Sequence, residues 1–125
     1  MITGIGCDIV QIDRVNKIYS KFGEKFVRRI LSSREQIECR KNANPVPYLA
    51  KRFAAKEAIV KAMGTGFSFG IQVNDISICS DVNGKPEVFL ENRAKEIFSA
   101  SGAKNILISI ADEKAYAIAY ATILR

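Results

Sequence analysis

The chain of 125 residues contains no histidine and no tryptophan, and it contains only three cysteines. Without histidine there is no Ser-His-Asp site and no imidazole metal ligand, so proton transfer must use a carboxylate, lysine, tyrosine, cysteine or water. Cys7, Cys39 and Cys79 form no CxxC pair and are odd in number, which predicts reduced thiols that behave as small buried apolar side chains. Reduced thiols favour a cytoplasmic location.

A long hydrophobic run is also absent. The N-terminal segment MITGIGCDIV has no basic stretch before its apolar residues and carries an acid at Asp8, so we expect neither a signal peptide nor a membrane span. Hydrophobic residues make up 48% of the chain and charged residues 26%, values typical of folded globular proteins rather than of disordered, collagen-like or coiled-coil chains. We therefore expect one folded domain over residues 1–125.

Positive charge is concentrated in the first half of the chain. Residues 1–62 contain 13 lysines and arginines against 6 acids, whereas residues 63–125 contain 6 against 7. A one-sided basic field attracts anionic partners, which include nucleic acids, acidic proteins and phosphorylated ligands. The charge alone does not choose among these partners, and solubility is an equally good explanation.

Hydrophobic periodicity predicts an α+β protein. Apolar residues alternate in the predicted strands and recur every three or four positions in the predicted helices. Strands and helices do not alternate regularly, so we expect a mainly antiparallel sheet packed on a long central helix. The predicted strands are 2–10, 73–80, 87–90, 105–111 and 116–124, and the predicted helices are 13–22, 24–31, a short helix after Ser32, 48–63 and 92–100.

The central helix has an unusual distribution of side chains. On a helical projection, Lys56 falls inside the apolar stripe that contains Phe53 and Val60. A lysine in such a stripe is expected to meet an anion, because an unpaired buried charge is costly. A second face consists only of alanine, which predicts that another element packs very close to it; the members are Ala50, Ala54, Ala55, Ala58 and Ala62.

Two acids within the basic half are candidate metal ligands. Asp8 lies on the same side of the first strand as Gly4 and Gly6, where the missing side chains leave room for a ligand or for another backbone. Glu57 lies at the edge of the apolar stripe, one helical turn from Lys61. Magnesium is often bound by one or two carboxylates together with substrate phosphates, so Asp8 and Glu57 favour phosphoryl or pyrophosphate chemistry.

Two lysines and a glycine turn near Glu57 are suited to phosphate binding, because they offer positive charge and backbone N–H groups. The expected phosphate contacts are Lys56, Lys61, Gly64, Thr65 and Gly66. Each feature also has an ordinary structural explanation. Asp8 would equally cap a turn, Glu57 and Lys61 are a common i, i+4 pair, and glycine is the usual residue after a helix.

Four motifs, in this order and spacing, form a specific pattern. They are GCDIVQIDR at residues 6–14, RFAAKEA at 52–58, KAMGTGF at 61–67 and NGKP at 83–86. On these motifs nearly the whole chain resembles the short bacterial holo-acyl-carrier-protein synthases, a branch of the 4′-phosphopantetheinyl transferases. This resemblance implies transfer of 4′-phosphopantetheine from coenzyme A to a serine of apo-acyl carrier protein, with release of adenosine 3′,5′-bisphosphate.

The resemblance also implies roles for individual residues. Asp8 and Glu57 would bind Mg²⁺ on the pyrophosphate, and Lys61 would lie near the phosphates. The carrier serine would attack the β-phosphorus in line, and its proton would pass to Glu57 directly or to a water held by the two acids. A homotrimer with coenzyme A bound between subunits is implied as well.

Carrier docking is expected on the basic first helices. The resemblance implies docking through Arg14, and Lys21 and Arg28 are further expected contacts. Acyl carrier proteins are strongly acidic, which agrees with the positive first half of the chain. The segment 109–112 departs from relatives, in which it commonly ends in histidine, because this chain has Asp112. An acid near a phosphate would repel it, so Asp112 is not among the expected catalytic residues.

Two other functions remain open at this stage. A small basic module that binds RNA or DNA would also explain the charge distribution, but the chain has no recognition-helix turn, aromatic RNP-like strand or arginine-rich tract. An inactive scaffold subunit would bind coenzyme A without transferring its phosphopantetheine. We expect the transferase, without nucleic acid as a partner.

Overall fold

Five strands and five α-helices follow one another along the chain, and a computed structural model describes all residues from Met1 to Arg125. The strands are β1 (Ile2–Gln11), β2 (Ile76–Ser80), β3 (Pro86–Leu90), β4 (Asn105–Asp112) and β5 (Tyr116–Leu124). The helices are α1 (Ile12–Phe22), α2 (Glu24–Ile30), α3 (Ser33–Cys39), α4 (Val46–Met63) and α5 (Asn92–Ala100). The irregular order of strands and helices confirms the predicted α+β class.

All strand pairs are antiparallel. Strands β1, β5 and β4 form a three-stranded sheet in that order, and β2 and β3 form a separate hairpin. The first strand of the chain therefore pairs with the last, and Asp8 lies opposite Ala119. The predicted antiparallel sheet on a long central helix is confirmed, with α4 as that helix.

Helix α4 packs directly on the glycine side of β1. A Cβ atom on Gly4 would lie 2.0 Å from the carbonyl oxygen of Ala62, and a Cβ atom on Gly6 would lie 2.0 Å from that of Ala58. A backbone carbonyl inside a helix cannot move aside, so only glycine fits at these two strand positions. The space beside the glycines is therefore filled by the backbone of α4 rather than by a ligand.

The alanine face of α4 permits this close approach. Ala54, Ala55 and Ala58 are fully buried, and α4 lies between two apolar clusters. One cluster joins α4 to β2, β5 and α5, and the other joins it to α1, α2 and α3. The prediction of a closely packed alanine face is confirmed, because the helix is buried on both sides.

Local sequence sets both ends of α4. The helix begins at Val46, two residues before the predicted start, because Pro47 is compatible with a first helical turn and Asn44 Oδ1 accepts a hydrogen bond from the Val46 N–H. It ends at Met63, and the next residue, Gly64, has a φ of 78° in the left-handed region. None of the helices combines the length and the apolar character needed to cross a membrane.

The segment 73–80, expected to be one strand, begins as a helical turn. Residues Val73–Asp75 form a 3₁₀-helix, and β2 starts only at Ile76. Asp75 Oδ2 accepts a hydrogen bond from the Gln72 N–H at 3.0 Å. This side-chain bond to the backbone replaces the strand pairing that the polar–apolar alternation predicted.

The side of the three-stranded sheet that faces away from α4 is apolar and exposed, and we call it the outer sheet face. Ile5 and Ile9 of β1 are 60% and 59% exposed. Cys7 lies between them and is also exposed. The expectation that all three cysteines are buried was therefore wrong for Cys7, whereas Cys39 is buried and Cys79 is half-buried. Strands β4 and β5 add Leu107, Tyr116, Ile118 and Tyr120. Exposed apolar patches of this kind mark protein interfaces.

Candidate active site

Asp8 lies on the glycine side of β1 and binds Lys61 of α4. The Lys61 Nζ atom is 2.9 Å from Asp8 Oδ1 and 3.1 Å from the carbonyl oxygen of Cys7. The glycines allow this contact because they bring the helix backbone against the strand. The hydrogen bond to Asp8 raises the pKa of Lys61, which keeps its ammonium group charged. The alternative role of Asp8 as a turn cap is not observed, since its carboxylate accepts no backbone N–H.

Glu57 is a half-buried carboxylate within electrostatic range of Asp8. Burial is the largest cause of its raised pKa, the negative charge of Asp8 raises the pKa further, and Lys61 opposes the rise. The common i, i+4 pair between Glu57 and Lys61 does not form, because Lys61 binds Asp8 instead. Two acids thus repel each other beside one lysine.

The acids Asp8 and Glu57 fit a magnesium ion. Both offer oxygen atoms, the ligand type that magnesium prefers, and a bound cation would relieve the repulsion that raises the pKa of Glu57. No group of three or more histidine, cysteine or acidic side chains is arranged to hold a metal anywhere in the chain. A magnesium ion held by Asp8 and Glu57 would therefore need substrate phosphates and water to complete its coordination shell.

The expected phosphate contact of Lys56 was wrong. Its side chain is fully buried, and Nζ donates to Glu35 Oε1 at 2.6 Å and to the carbonyl oxygen of Ile30. Glu35 also accepts hydrogen bonds from the N–H groups of Ser32 and Ile78. The anion that a lysine in the apolar stripe required is therefore a carboxylate of α3. Lys56 joins α2, α3, α4 and β2 instead of facing a substrate.

The turn after α4 presents no free backbone donors. The N–H groups of Gly64, Thr65 and Gly66 donate to the carbonyl oxygens of Lys61 and Val60, which closes the end of the helix. The Thr65 hydroxyl donates to the carbonyl oxygen of Gly66 at 2.8 Å. The expectation that these N–H groups bind a phosphate was therefore wrong for this structure.

A second candidate region is a cavity of about 420 Å³, which we call the polar cavity. It lies between α3, α4, the β2–β3 turn and β4, and its charged and aromatic lining residues are Glu38, Tyr48, Lys51, Arg52 and Asp112. The buried atoms Tyr48 Oη and Arg52 Nε have no hydrogen-bond partner within the protein. Buried polar atoms rarely lack a partner, and both residues line this mostly polar cavity, whose side chains suit a polar ligand.

Sequence reasoning missed the polar cavity because its residues come from four distant segments. The sequence signals for the cavity were Arg52 and Pro86, which belong to two of the four motifs, and the segment 109–112, which ends in Asp112. Arg52 is held by a hydrogen bond from Nη2 to Glu38 Oε1 at 2.9 Å, and its guanidinium group lies 4.6 Å from the centre of the Tyr48 ring.

The basic residues expected to contact a carrier protein lie on two consecutive helices. Arg14 and Lys21 are exposed on α1, and Arg28 is exposed on α2. The Lys21 Nζ atom lies 5.3 Å from the centre of the Phe22 ring. None of the three basic residues forms a salt bridge within the chain, so their charges are free for an external partner.

A groove of about 510 Å³ runs beside these basic residues, and we call it the α1–α2 groove. Its apolar residues include Ile18 and Phe22, which are 41% and 51% exposed. Lys25 and Arg29 also line it. Sequence reasoning assigned the charges of α1 and α2 but missed the apolar groove, whose residues sit on two helices.

Three comparisons place the chain among known proteins. Residues 4–121 match the 4′-phosphopantetheinyl transferase superfamily. The chain is similar to the holo-[acyl-carrier-protein] synthase of Vibrio atlanticus, with 46% identity over 118 residues that cover 94% of each chain. The crystal structure of the holo-[acyl-carrier-protein] synthase from Neisseria meningitidis has a TM-score of 0.94 and 39% identity, and the match covers 100% of both chains.

A ligand-bound relative has the same fold. The crystal structure of Helicobacter pylori holo-[acyl-carrier-protein] synthase in complex with coenzyme A has a TM-score of 0.82 and 31% identity, and the match covers 96% of this chain and 99% of that one. Sequence and fold agree over nearly the whole length, which confirms the resemblance carried by the four motifs. The chain belongs to the holo-[acyl-carrier-protein] synthases, enzymes of the 4′-phosphopantetheinyl transferase superfamily.

Proposed function

We propose that Asp8, Glu57 and Lys61 catalyse the transfer of 4′-phosphopantetheine from coenzyme A to a serine of apo-acyl carrier protein, with release of adenosine 3′,5′-bisphosphate. The observation that carries this proposal is the position of the three side chains where α4 packs on β1, with Lys61 Nζ 2.9 Å from Asp8 Oδ1. The ion pair of Asp8 and Lys61, with Glu57 within electrostatic range of both, suits pyrophosphate chemistry, in which charge must be neutralised on both sides of the transferred phosphorus.

Asp8 and Glu57 would hold Mg²⁺ together with the pyrophosphate of coenzyme A. When bound, the ion supplies charge neutralisation on the transferring and leaving groups. The support for this assignment is the donor chemistry of two oxygen ligands and the raised pKa of the half-buried Glu57. Lys56 takes no part in it, because Glu35 occupies its ammonium group.

Lys61 is suited to orient a phosphate, and Glu57 is suited to accept a proton. The Lys61 ammonium is half-exposed and fixed by Asp8 and the Cys7 carbonyl, so one of its three protons remains for a phosphate oxygen. The carrier serine would attack the β-phosphorus in line, and its proton would pass to Glu57 directly or to a water held by the two acids. Lys61 binds Asp8, which leaves Glu57 as the carboxylate of this site that forms no ion pair within the chain.

The polar cavity is the proposed site of the nucleotide part of coenzyme A. The support for this assignment is the polar lining of the cavity, to which Lys51, Arg52 and Tyr48 contribute side chains that can donate hydrogen bonds. Pro86 and the β2–β3 turn provide a further wall of the cavity. The polar cavity shares no residue with the acidic cluster, by which we mean Asp8 and Glu57. The nucleotide of coenzyme A would occupy the cavity while its pyrophosphate lies at an acidic cluster.

A homotrimer with coenzyme A between subunits is part of the proposal. Its support is the outer sheet face, whose isoleucines and tyrosines have no partner within one chain. We expect the wild-type protein to sediment with the mass of three chains. Ile5→Glu is expected to shift the protein toward monomers, because it places a charge in the proposed contact.

The matched control for the oligomer experiment is Val82→Glu. Val82 is fully exposed in the turn between β2 and β3, away from the outer sheet face. We expect this variant to remain a trimer in sedimentation equilibrium. A monomeric wild-type protein, or an Ile5→Glu variant with unchanged mass, would contradict the proposed interface.

The acidic carrier protein is proposed to dock on α1 and α2. Arg14, Lys21 and Arg28 supply unpaired positive charge, and the α1–α2 groove supplies an apolar contact beside it. We expect Arg14→Glu to raise the KM for the carrier about tenfold, since like charges across an interface repel. The KM for coenzyme A should not change, and salt should raise the wild-type KM toward that of the variant.

Lys104→Glu is the control for this charge reversal. Lys104 is exposed between α5 and β4, outside both docking helices. Its replacement by glutamate changes the net charge of the protein by the same amount as Arg14→Glu. If both variants raise the carrier KM equally, net charge rather than docking at Arg14 explains the effect.

The reaction itself is tested by mass spectrometry of apo-carrier protein incubated with the enzyme, magnesium and coenzyme A. We expect a mass gain of one phosphopantetheine, and no gain after chelation of the metal. Binding of coenzyme A without transfer would instead indicate an inactive scaffold.

The family match favours the transferase over a nucleic-acid-binding module, and a gel shift with random DNA and RNA is the corresponding control. The cytoplasmic location stays a prediction.

A further inference from the structure

The charges of the polar cavity cancel in pairs, which is unexpected for a phosphate site. Lys51 and Arg52 are its two cations, and Glu38 and Asp112 are its two acids. Arg52 Nη2 lies 2.9 Å from Glu38 Oε1, and Lys51 Nζ lies 4.0 Å from Asp112 Oδ2. An anion that enters the cavity therefore meets no net positive charge, although donors for it are present.

The two pairs differ in how firmly they are held. Glu38 is fixed, because its second oxygen accepts a hydrogen bond from the Ser80 N–H at 3.2 Å, and the Arg52 side chain is only 7% exposed. Lys51 and Asp112 are each about one third exposed. They are too far apart for a hydrogen bond, and neither side chain has another hydrogen-bonding partner. The pair of Lys51 and Asp112 is the one that can open.

An incoming anion and Asp112 therefore compete for Lys51. The other cation of the cavity, Arg52, is only 7% exposed and its Nη2 atom is held by Glu38, and the buried atoms Tyr48 Oη and Arg52 Nε are closed off from solvent. Lys51, which is 33% exposed, is therefore the cation that an entering anion can reach. The contribution of Lys51 depends on whether it leaves Asp112. The carboxylate also repels the anion directly, because Asp112 lines the cavity rather than turning away from it.

We propose that Asp112 is a specificity-determining residue that weakens the binding of the nucleotide's 3′-phosphate in the polar cavity. This inference rests on the proposed function, which places the nucleotide part of coenzyme A there. The difference in affinity between nucleotides with and without this phosphate is therefore smaller than it would be if Lys51 and Arg52 acted without Asp112. Removal of the Asp112 charge frees Lys51 and ends the repulsion, and both effects favour only a ligand that carries the phosphate.

Calorimetry with adenosine 3′,5′-bisphosphate and with 5′-AMP tests the proposal on the full-length protein. Asp112→Asn is expected to bind the bisphosphate about fivefold more tightly or better, as expected for the loss of one like charge at about 4 Å in a solvated site. Its affinity for 5′-AMP should change less than about twofold. Asp112→Ser should behave like Asp112→Asn. Agreement between the two variants would show that the effect comes from loss of the carboxylate and not from the new amide group.

Glu113→Gln is the matched control, because Glu113 is the next residue, is exposed and does not line the cavity. It should leave both affinities unchanged. Equal tightening of both nucleotides, or no tightening of the bisphosphate in Asp112→Asn, would overturn the inference while transfer activity persists. A wild-type protein that neither transfers phosphopantetheine nor binds either nucleotide would overturn the proposed function and this inference together.

Discussion

Glu57→Gln is expected to lower magnesium-dependent transfer of phosphopantetheine about a thousandfold without unfolding the protein. Glutamine keeps the shape of the side chain but removes the negative charge that would bind the cation and accept the serine proton. A rate loss of this size is typical when an enzyme loses one preorganised polar or charged group that stabilises the transition state. The measurement is the initial rate of holo-carrier formation at saturating coenzyme A and magnesium.

The folded state should not suffer from this substitution. Burial and the charge of Asp8 already raise the pKa of Glu57, so removal of its charge relieves repulsion within the acidic cluster. We expect a melting temperature equal to or slightly above that of the wild type. Glu87→Gln, at an exposed position of β3 that forms no salt bridge, is the matched control and should keep full activity. Near-normal transfer by Glu57→Gln would remove Glu57 from the proposed mechanism.

Lys56→Met is expected to destabilise the protein by about 3–5 kcal/mol, because it leaves the buried carboxylate of Glu35 without its counterion. Both side chains are fully buried, so water cannot replace the lost partner. Burial is the main cause that lowers the pKa of Lys56, and the neighbouring Glu35 opposes the shift. The loss is measured by denaturant unfolding at a fixed protein concentration.

Two further variants separate the ion pair from the packing of the side chain. Glu35→Gln combined with Lys56→Met removes both charges, and it should recover a large part of the stability lost in the single variant. Lys17→Met removes the lysine of the exposed pair with Asp13, and it should change stability by less than about 0.5 kcal/mol. A Lys56→Met variant as stable as Lys17→Met would show that the buried pair contributes little.

The fold class and most elements follow from the sequence because they depend on local periodicity. The alanine face and the glycines of β1 predicted a close contact, and the structure shows that contact between α4 and β1. The four motifs predicted the family, which the comparisons confirm. The start of β2 was missed because one side chain, Asp75, caps a turn where the alternating pattern continued.

Contacts between distant segments were decided only by the tertiary structure. Periodicity predicted that Lys56 needs an anion but not that Glu35, 21 residues away in the chain, provides it. Periodicity also placed Lys61 beside Glu57, whereas in the folded chain Lys61 forms a hydrogen bond with Asp8, 53 residues away. A sequence pattern defines which face of an element is apolar or charged, but which faces meet depends on how the elements pack. For that reason the polar cavity and the exposed outer sheet face became visible only in the folded chain.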